Sequence, residues 1–195
     1  MRSLNSVLER ITLWLAWLAG GIIIFGCAVP ISLDVASRAL TGSTLVESFE
    51  ISGYALAACI GLGMGYTVTT KANIRVDILT AKLPAPLRRG VDVAASVALA
   101  LTAVALAYFT FDVLYDSWKL DARSVSTLRV PLLIPQSVWW LGFVWFATVA
   151  VLVPICAVAR LAAGDTEAFD AALSNASLSD ELEQIGMSAP PEDRP

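Results

Sequence analysis

Glu47 and Glu50, three residues apart, are the side chains best placed by type and spacing for acid–base chemistry. Their surroundings point to a different use. They stand at the mouth of an apolar segment, with Arg38 nearby in the chain. The expected role is structural, at the membrane boundary or in an ion pair with Arg38. Asp92 and Asp112 bracket another apolar segment at its two ends, where water or lipid headgroups reach them. Cys27, Cys59 and Cys156 are isolated inside apolar segments and no C-x-x-C occurs. Thiol–disulfide chemistry needs paired, accessible cysteines with a lowered pKa, so these three are expected to be small packing residues. The chain contains no histidine, the usual haem ligand, the commonest metal ligand and the most versatile general base. The sequence also lacks a glycine-rich phosphate loop, a serine triad and a metal-ligand cluster. An enzyme is not expected, and no cofactor or metal is predicted.

The elements that carry these residues are set by where charge is missing. Uncharged runs cover residues 11–33, 51–70, 93–111 and 130–159, of 23, 20, 19 and 30 residues. A hydrocarbon core of roughly 30 Å takes about 20 apolar residues in a helix rising about 1.5 Å per residue. Helices satisfy every backbone N–H and C=O within the span, which lipid demands. The fold class predicted is an all-α membrane protein of four transmembrane helices with short amphipathic interfacial helices. The spans are expected near 11–33, 51–70, 92–114 and 136–160, the last starting late because of Pro131 and Pro135. The first run is too long for a signal-peptide core and no A-x-A-like site follows it, so it is read as a retained helix.

Basic residues set the orientation. Arg2, Arg10, Lys71, Arg75, Lys82, Arg88, Arg89 and Arg160 fall on one side; Arg38, Lys119, Arg123 and Arg129 fall on the other. Eight against four puts both termini in the cytoplasm. Trp118, at the end of the third span, and Trp139 and Trp140, at the start of the fourth, fit one shared interface. Of the 17 acidic residues, eight lie in residues 165–195 beside a single arginine, Arg194. The chain is thus read as a membrane domain, 1–164, and an acidic, partly disordered cytoplasmic tail, 165–195. The tail's apolar pattern is weak (Phe169, Leu173, then Leu178, Leu182, Ile185), so truncation after Ala163 is expected to leave insertion and assembly intact. Nothing suggests nucleic-acid binding.

Small residues recur every four positions in the second span at Gly53, Ala57, Gly61 and Gly65. Such a stripe lets helix backbones approach closely in lipid, either within the chain, with the Ala-rich third span as partner, or against another subunit. Asp34 and Arg38, four apart, are expected to pair on a helical continuation of the first span. Thr41-Gly42-Ser43-Thr44 should then break it. Ile74, Ile78 and Leu79 share one face of a short segment with Arg75 and Lys82 near headgroups, which suits an interfacial helix.

In order and spacing, residues 10–160 resemble the small permease (DctQ-like) subunit of tripartite ATP-independent periplasmic (TRAP) transporters. The resemblance is carried by Arg38 with Gly42, by Glu47 and Glu50 opening the second span, and by the stripe ending at Gly65. It continues through Asn73-Ile74-Arg75-Val76-Asp77, then Ser126-Thr127-Leu128-Arg129-Val130-Pro131 and Gly142. Two positions depart from the family pattern: Asn73 stands where His is common, and Glu47 near a position commonly Trp. Asn suits a helix start or turn, so a capping role would survive the exchange.

The resemblance implies a multi-pass protein of the bacterial inner membrane, partnered by a large multi-span permease subunit and a periplasmic substrate-binding protein, with membrane lipid around it. It implies a scaffold for a sodium-coupled large subunit that takes up an organic anion, a carboxylate or sulfonate, while the outer loops 34–50 and 112–135 help dock the binding protein. The alternatives are a self-sufficient small transporter or channel, and a membrane redox or assembly subunit.

Overall fold

The computed structural model describes residues 2–43, 47–70, 84–126 and 128–173. Four of its helices are long and apolar enough to cross a membrane: Ser6–Thr41, Ser48–Thr69, Pro86–Lys119 and Leu133–Ala162. The first is built of α1 (Arg2–Ile23), a π-helical turn (Ile24–Ala28) and α2 (Val29–Thr41). Then come α3 (Ser48–Thr69), α4 (Ala85–Lys119), α5 (Leu133–Ala162) and a short α6 (Thr166–Leu173).

Pro30 explains the π turn. In a regular α-helix its ring would strike the carbonyl of Gly26, and it has no N–H to offer that carbonyl. One widened turn relieves the clash: Val29 N–H reaches back five residues to Ile24 O. Gly26 lies within this turn, and a Cβ there would come 2.5 Å from the Ala55 Cβ of α3. The turn is therefore also where the first helix leans closest on the second span.

The helices overrun the apolar stretches that encode them. α2 ends at Thr41, where Gly42 adopts φ 70° and returns its N–H to Arg38 O. That left-handed cap suits glycine. α4 starts at Ala85 with Pro86 in its first turn, and α5 starts at Leu133, ahead of Pro135. Prolines there remove only N–H groups that a helix start leaves unpaired, so they open these helices instead of delaying them.

Packing runs from α1 to α3, from α3 to α5 and from α5 to α4. α5 sits inside this arrangement, with Phe146, Val149 and Ala150 essentially inaccessible. Ala103 of α4 joins Phe143, Phe146 and Ala150 in the main cluster, and Met64 and Val68 of α3 pack on it. Among the described residues, α1 and α4 are each covered on one flank only. The other flank of the first span shows Trp17 of α1 at 81% exposure and Phe25 of the π turn at 73%, and that of α4 shows Leu101 at 67%.

The chain after Gly164 turns back onto the bundle. Phe169 is fully buried and Leu173 nearly so, in a cluster with Ala157 of α5, against which Val93, Val153 and Leu161 also pack. The i, i+4 pair of apolar residues that looked too sparse to matter is enough, because α4 and α5 offer a ready seat. α6 thus has a packing role that the weak apolar pattern did not suggest. Removing α6, or Phe169→Ala alone, is expected to destabilise the purified protein, the single substitution by about 3 kcal/mol. Thermal unfolding in detergent measures it, and an unchanged midpoint for both variants would show that α6 adds nothing. Residues 174–195 lie outside the described residues.

Candidate functional site

Asp34, Arg38, Glu47 and Glu50 gather at one end of the bundle, with part of the small-residue stripe in a seam beneath them. Asp92, expected to meet water or headgroups, is instead buried near the start of α4 at the other end. Where α2 gives way to α3, Asp34 is almost fully buried and takes an ion pair from Arg38 at 2.8 Å. Its spacing from Arg38 places both on one helix face, so the pair forms without ordering a loop. The same carboxylate accepts a hydrogen bond at 2.9 Å from Ser48, the first residue of α3. Ser37 donates to Asp34 O and to Ser43 O. A buried carboxylate needs donors such as Arg38 and Ser48, and the bonds from Ser48 and Ser37 fix how α2 turns into α3.

Glu50, in the first turn of α3, is taken up by hydroxyls. Tyr54, on the next turn of the same helix, and Ser126, from the loop between α4 and α5, both donate to it. That loop is a small hairpin. Ser124 N–H donates to Val130 O at 2.9 Å and Leu132 N–H to Ala122 O at 3.0 Å, around a bridge between Arg123 and Pro131. Asp121 and Arg129 bend its two ends with φ of 43° and 44°. Each left-handed, non-glycine residue costs about 1 kcal/mol, so the loop needs an external hold, and Glu50 supplies one. Phe49, Tyr54, Arg123, Val125 and Leu132 surround a recess of about 600 Å³ beside this joint. Ser126→Ala is expected to loosen the hairpin and speed protease cleavage near the fully exposed Val125 several-fold, with the four spans intact. Equal cleavage rates would mean that the Glu50 joint does not restrain the loop.

Below the joint lies the seam between α3 and α5. Gly142 of α5 sits directly on the backbone of Gly61: a Cβ at 142 would overlap the Gly61 carbonyl carbon and lie 2.7 Å from Leu62 N. A Cβ at Gly61 would lie 2.8 Å from Trp139 O, and one at Gly65 2.8 Å from Trp145 Cδ1. Trp145 Nε1 then donates to the buried Thr12 of α1 at 3.2 Å, tying three helices at one level. The stripe therefore divides. Gly61 and Gly65 are buried against α5, the fourth span, not against the third as its alanine content suggested. Ala57 is half-buried, and Gly53 meets nothing within 4 Å. α5 wins because Gly142 supplies a matching gap in its surface, and two glycines face to face bring backbones closer than Gly against Ala. Gly142 was visible in the sequence as one small residue amid Trp139, Trp140, Leu141 and Phe143; its pairing with Gly61 was not.

The remaining predicted positions are less informative. Glu47 occupies the cap position of α3 and its carbonyl accepts from Ile51 N–H. Asn73, Ile74, Arg75, Val76 and Asp77 lie outside the described residues. Cys27, Cys59 and Cys156 are free, and the Cys27 thiol donates to Ser52 O at 3.5 Å. Among the described residues, no group of His, Cys, Asp or Glu is disposed to hold a metal. Phe111 and Trp140 meet at 5.5 Å, and Lys119 lies 4.1 Å over the Tyr115 ring, forming an aromatic belt at the level of the hairpin.

Four helices long and apolar enough to cross a membrane, two of them in close glycine contact, define a multi-pass membrane protein. Residues 27–161 match the family of the DctQ component of tripartite ATP-independent periplasmic transporters. The chain belongs to that family. It is the small membrane subunit of a TRAP transporter and a multi-pass protein of the bacterial inner membrane. The family implies association with a large permease subunit and a periplasmic binding protein. No curated protein and no solved structure matches the chain.

Proposed function

We propose that this chain is the stationary scaffold of its transporter, holding a large sodium-coupled permease subunit that takes up an organic anion delivered by the binding protein. The observation that carries this reading is the uneven covering of the four helices. α3 and α5 are locked together by the Gly61–Gly142 contact, whereas α1 and α4 leave whole flanks uncovered. A rigid pair with two open flanks suits a wedge against another membrane protein. Ion coupling and substrate selection are assigned to the large subunit, because residues 51–70, 93–111 and 130–159 carry no charge and ion-translocating sites place ionisable groups within spans. The outer joints at Asp34 and Glu50, with the hairpin, supply a firm surface on which the binding protein can rest.

Both termini are assigned to the cytoplasm from the basic-residue bias. A fluorescent protein fused after Pro195 is expected to mature, and a phosphatase inserted within residues 119–129 to be active in the periplasm. The reverse pattern would overturn the orientation. The scaffold reading itself is tested by co-purification: the chain should bring the large subunit with it through detergent extraction. A chain that purifies alone, and catalyses flux alone in vesicles, would be a self-sufficient transporter instead.

A further inference from the structure

At the hairpin end of the bundle one carboxylate has no cation to neutralise it. The sequence offered Arg38 as the partner of Glu47 and Glu50, but Arg38 is taken by Asp34 at 2.8 Å. Arg123, which lines the same recess as Glu50, is turned to Asp121 at 3.4 Å. The donors around Glu50 are the hydroxyls of Tyr54 and Ser126, with Ser124 alongside. Neutral hydroxyls hold the group in place and leave its charge standing, and three of them do not fill the roughly four lone-pair sites of a carboxylate. Among the described residues no basic side chain forms an ion pair with Glu50.

That carboxylate stands in the wall of the recess of about 600 Å³ between the start of α3 and the hairpin. Pockets of about 300–1,000 Å³ take a small ligand, so this one has room for the end of a loop. Gly53 lines it, and a Cβ there would meet nothing within 4 Å, so the missing side chain leaves the space open. Phe49, 91% exposed, and Tyr54 bring aromatic rings to the same lining. A fixed carboxylate beside aromatic rings suits an ammonium or guanidinium, which pairs with the charge and lays its stem or plane on the rings. An anionic ligand would be repelled by Glu50. The surrounding segments agree in sign: residues 34–50 and 112–135 together carry six acidic side chains against four basic ones, which draws a basic partner surface.

We propose that this recess takes a lysine or arginine side chain of the periplasmic binding protein, paired with Glu50 and laid against Phe49. The proposal rests on the scaffold reading, in which this rim faces the periplasm and the binding protein comes to rest on it. The bond from Ser126 then serves two ends: it restrains the hairpin and holds the Glu50 carboxylate ready. A group fixed before the partner arrives leaves little ordering to be done on docking.

Fluorescently labelled binding protein is titrated, at low and at high salt, onto this chain and its large subunit together in lipid nanodiscs. Binding should weaken as salt rises. Glu50→Gln keeps an oxygen acceptor for the hydroxyls and removes the charge; it should weaken binding about tenfold and flatten the salt dependence. Gly53→Leu, which fills the recess and leaves Glu50 in place, should weaken binding as much. Ser126→Ala keeps the charge and loosens the hairpin, so it should cost less and keep the salt dependence. Co-purification with the large subunit reports the scaffold separately and should be unchanged in all three variants. With the complex intact, three results overturn this proposal alone: no binding to the unaltered complex, unchanged affinity in Glu50→Gln or Gly53→Leu, or equal losses of affinity and salt dependence in Glu50→Gln and Ser126→Ala. The last would make Glu50 a support for the hairpin only. An unaltered chain that does not bring the large subunit with it would overturn the scaffold, and this proposal with it.

Discussion

Gly142→Ala is expected to prevent α3 and α5 from closing and to remove most of the folded chain from detergent extracts. One methyl group is enough, because the new Cβ would overlap the carbonyl carbon of Gly61, with Gly61 O and Leu62 N both 2.7 Å away. These are backbone atoms of a regular helix and cannot swing aside as a side chain does. The helices must separate instead, and that separation pulls Trp139 from Gly61 and Trp145 from Gly65 and Thr12. Overpacking of a tight core costs about 1–3 kcal/mol where neighbours can yield; here the upper end or more is expected. Gly61→Leu meets Trp139 from the other side of the seam and should behave alike. Gly53→Ala is the control from the same stripe. It meets nothing within 4 Å, and gains up to about 1 kcal/mol of helix propensity. Gel-filtration profiles and co-purification with the large subunit measure all three. If Gly142→Ala elutes and assembles like Gly53→Ala, the seam does not hold the scaffold together.

Omitting this chain should abolish sodium-dependent uptake by vesicles that contain the large subunit and are supplied with the binding protein. The proposed scaffold acts by holding the large subunit, so uptake should fall to the background of empty vesicles rather than decline in proportion. Neutralising charge within the chain should do far less. Asp112→Asn is the sharpest case, since Asp112 is the acidic residue at the end of the 93–111 run and lies exposed on α4. Sodium dependence and substrate preference are expected to stay as they were. A changed sodium dependence in Asp112→Asn would make this chain part of the transport site, and the division of labour between the subunits would fail.

Sequence alone determined the number of membrane-crossing helices, because a charge-free run of about 20 residues has few other fates in a cell. It also determined the Asp34–Arg38 pair and the break at Gly42, since both are local: a four-residue step around one helix, and a backbone turn that glycine makes without strain. Family membership was legible for a similar reason, as an ordered set of short motifs survives without knowledge of packing. Which helix met the glycine stripe was not legible. Gly53, Ala57, Gly61 and Gly65 announce that something approaches closely, yet alanines in α4 and a lone glycine in α5 both answer that description. The choice fell to Gly142 because contact depends on the summed shape of two surfaces at one depth, which no one-dimensional pattern records. The same holds for Glu50, whose partner Ser126 lies 76 residues away, and for Phe169, whose seat is made by α4 and α5 together. Local chemistry and the lipid solvent fixed the helices; only their mutual packing decided which small residue meets which backbone, and where a polar group finds its donor.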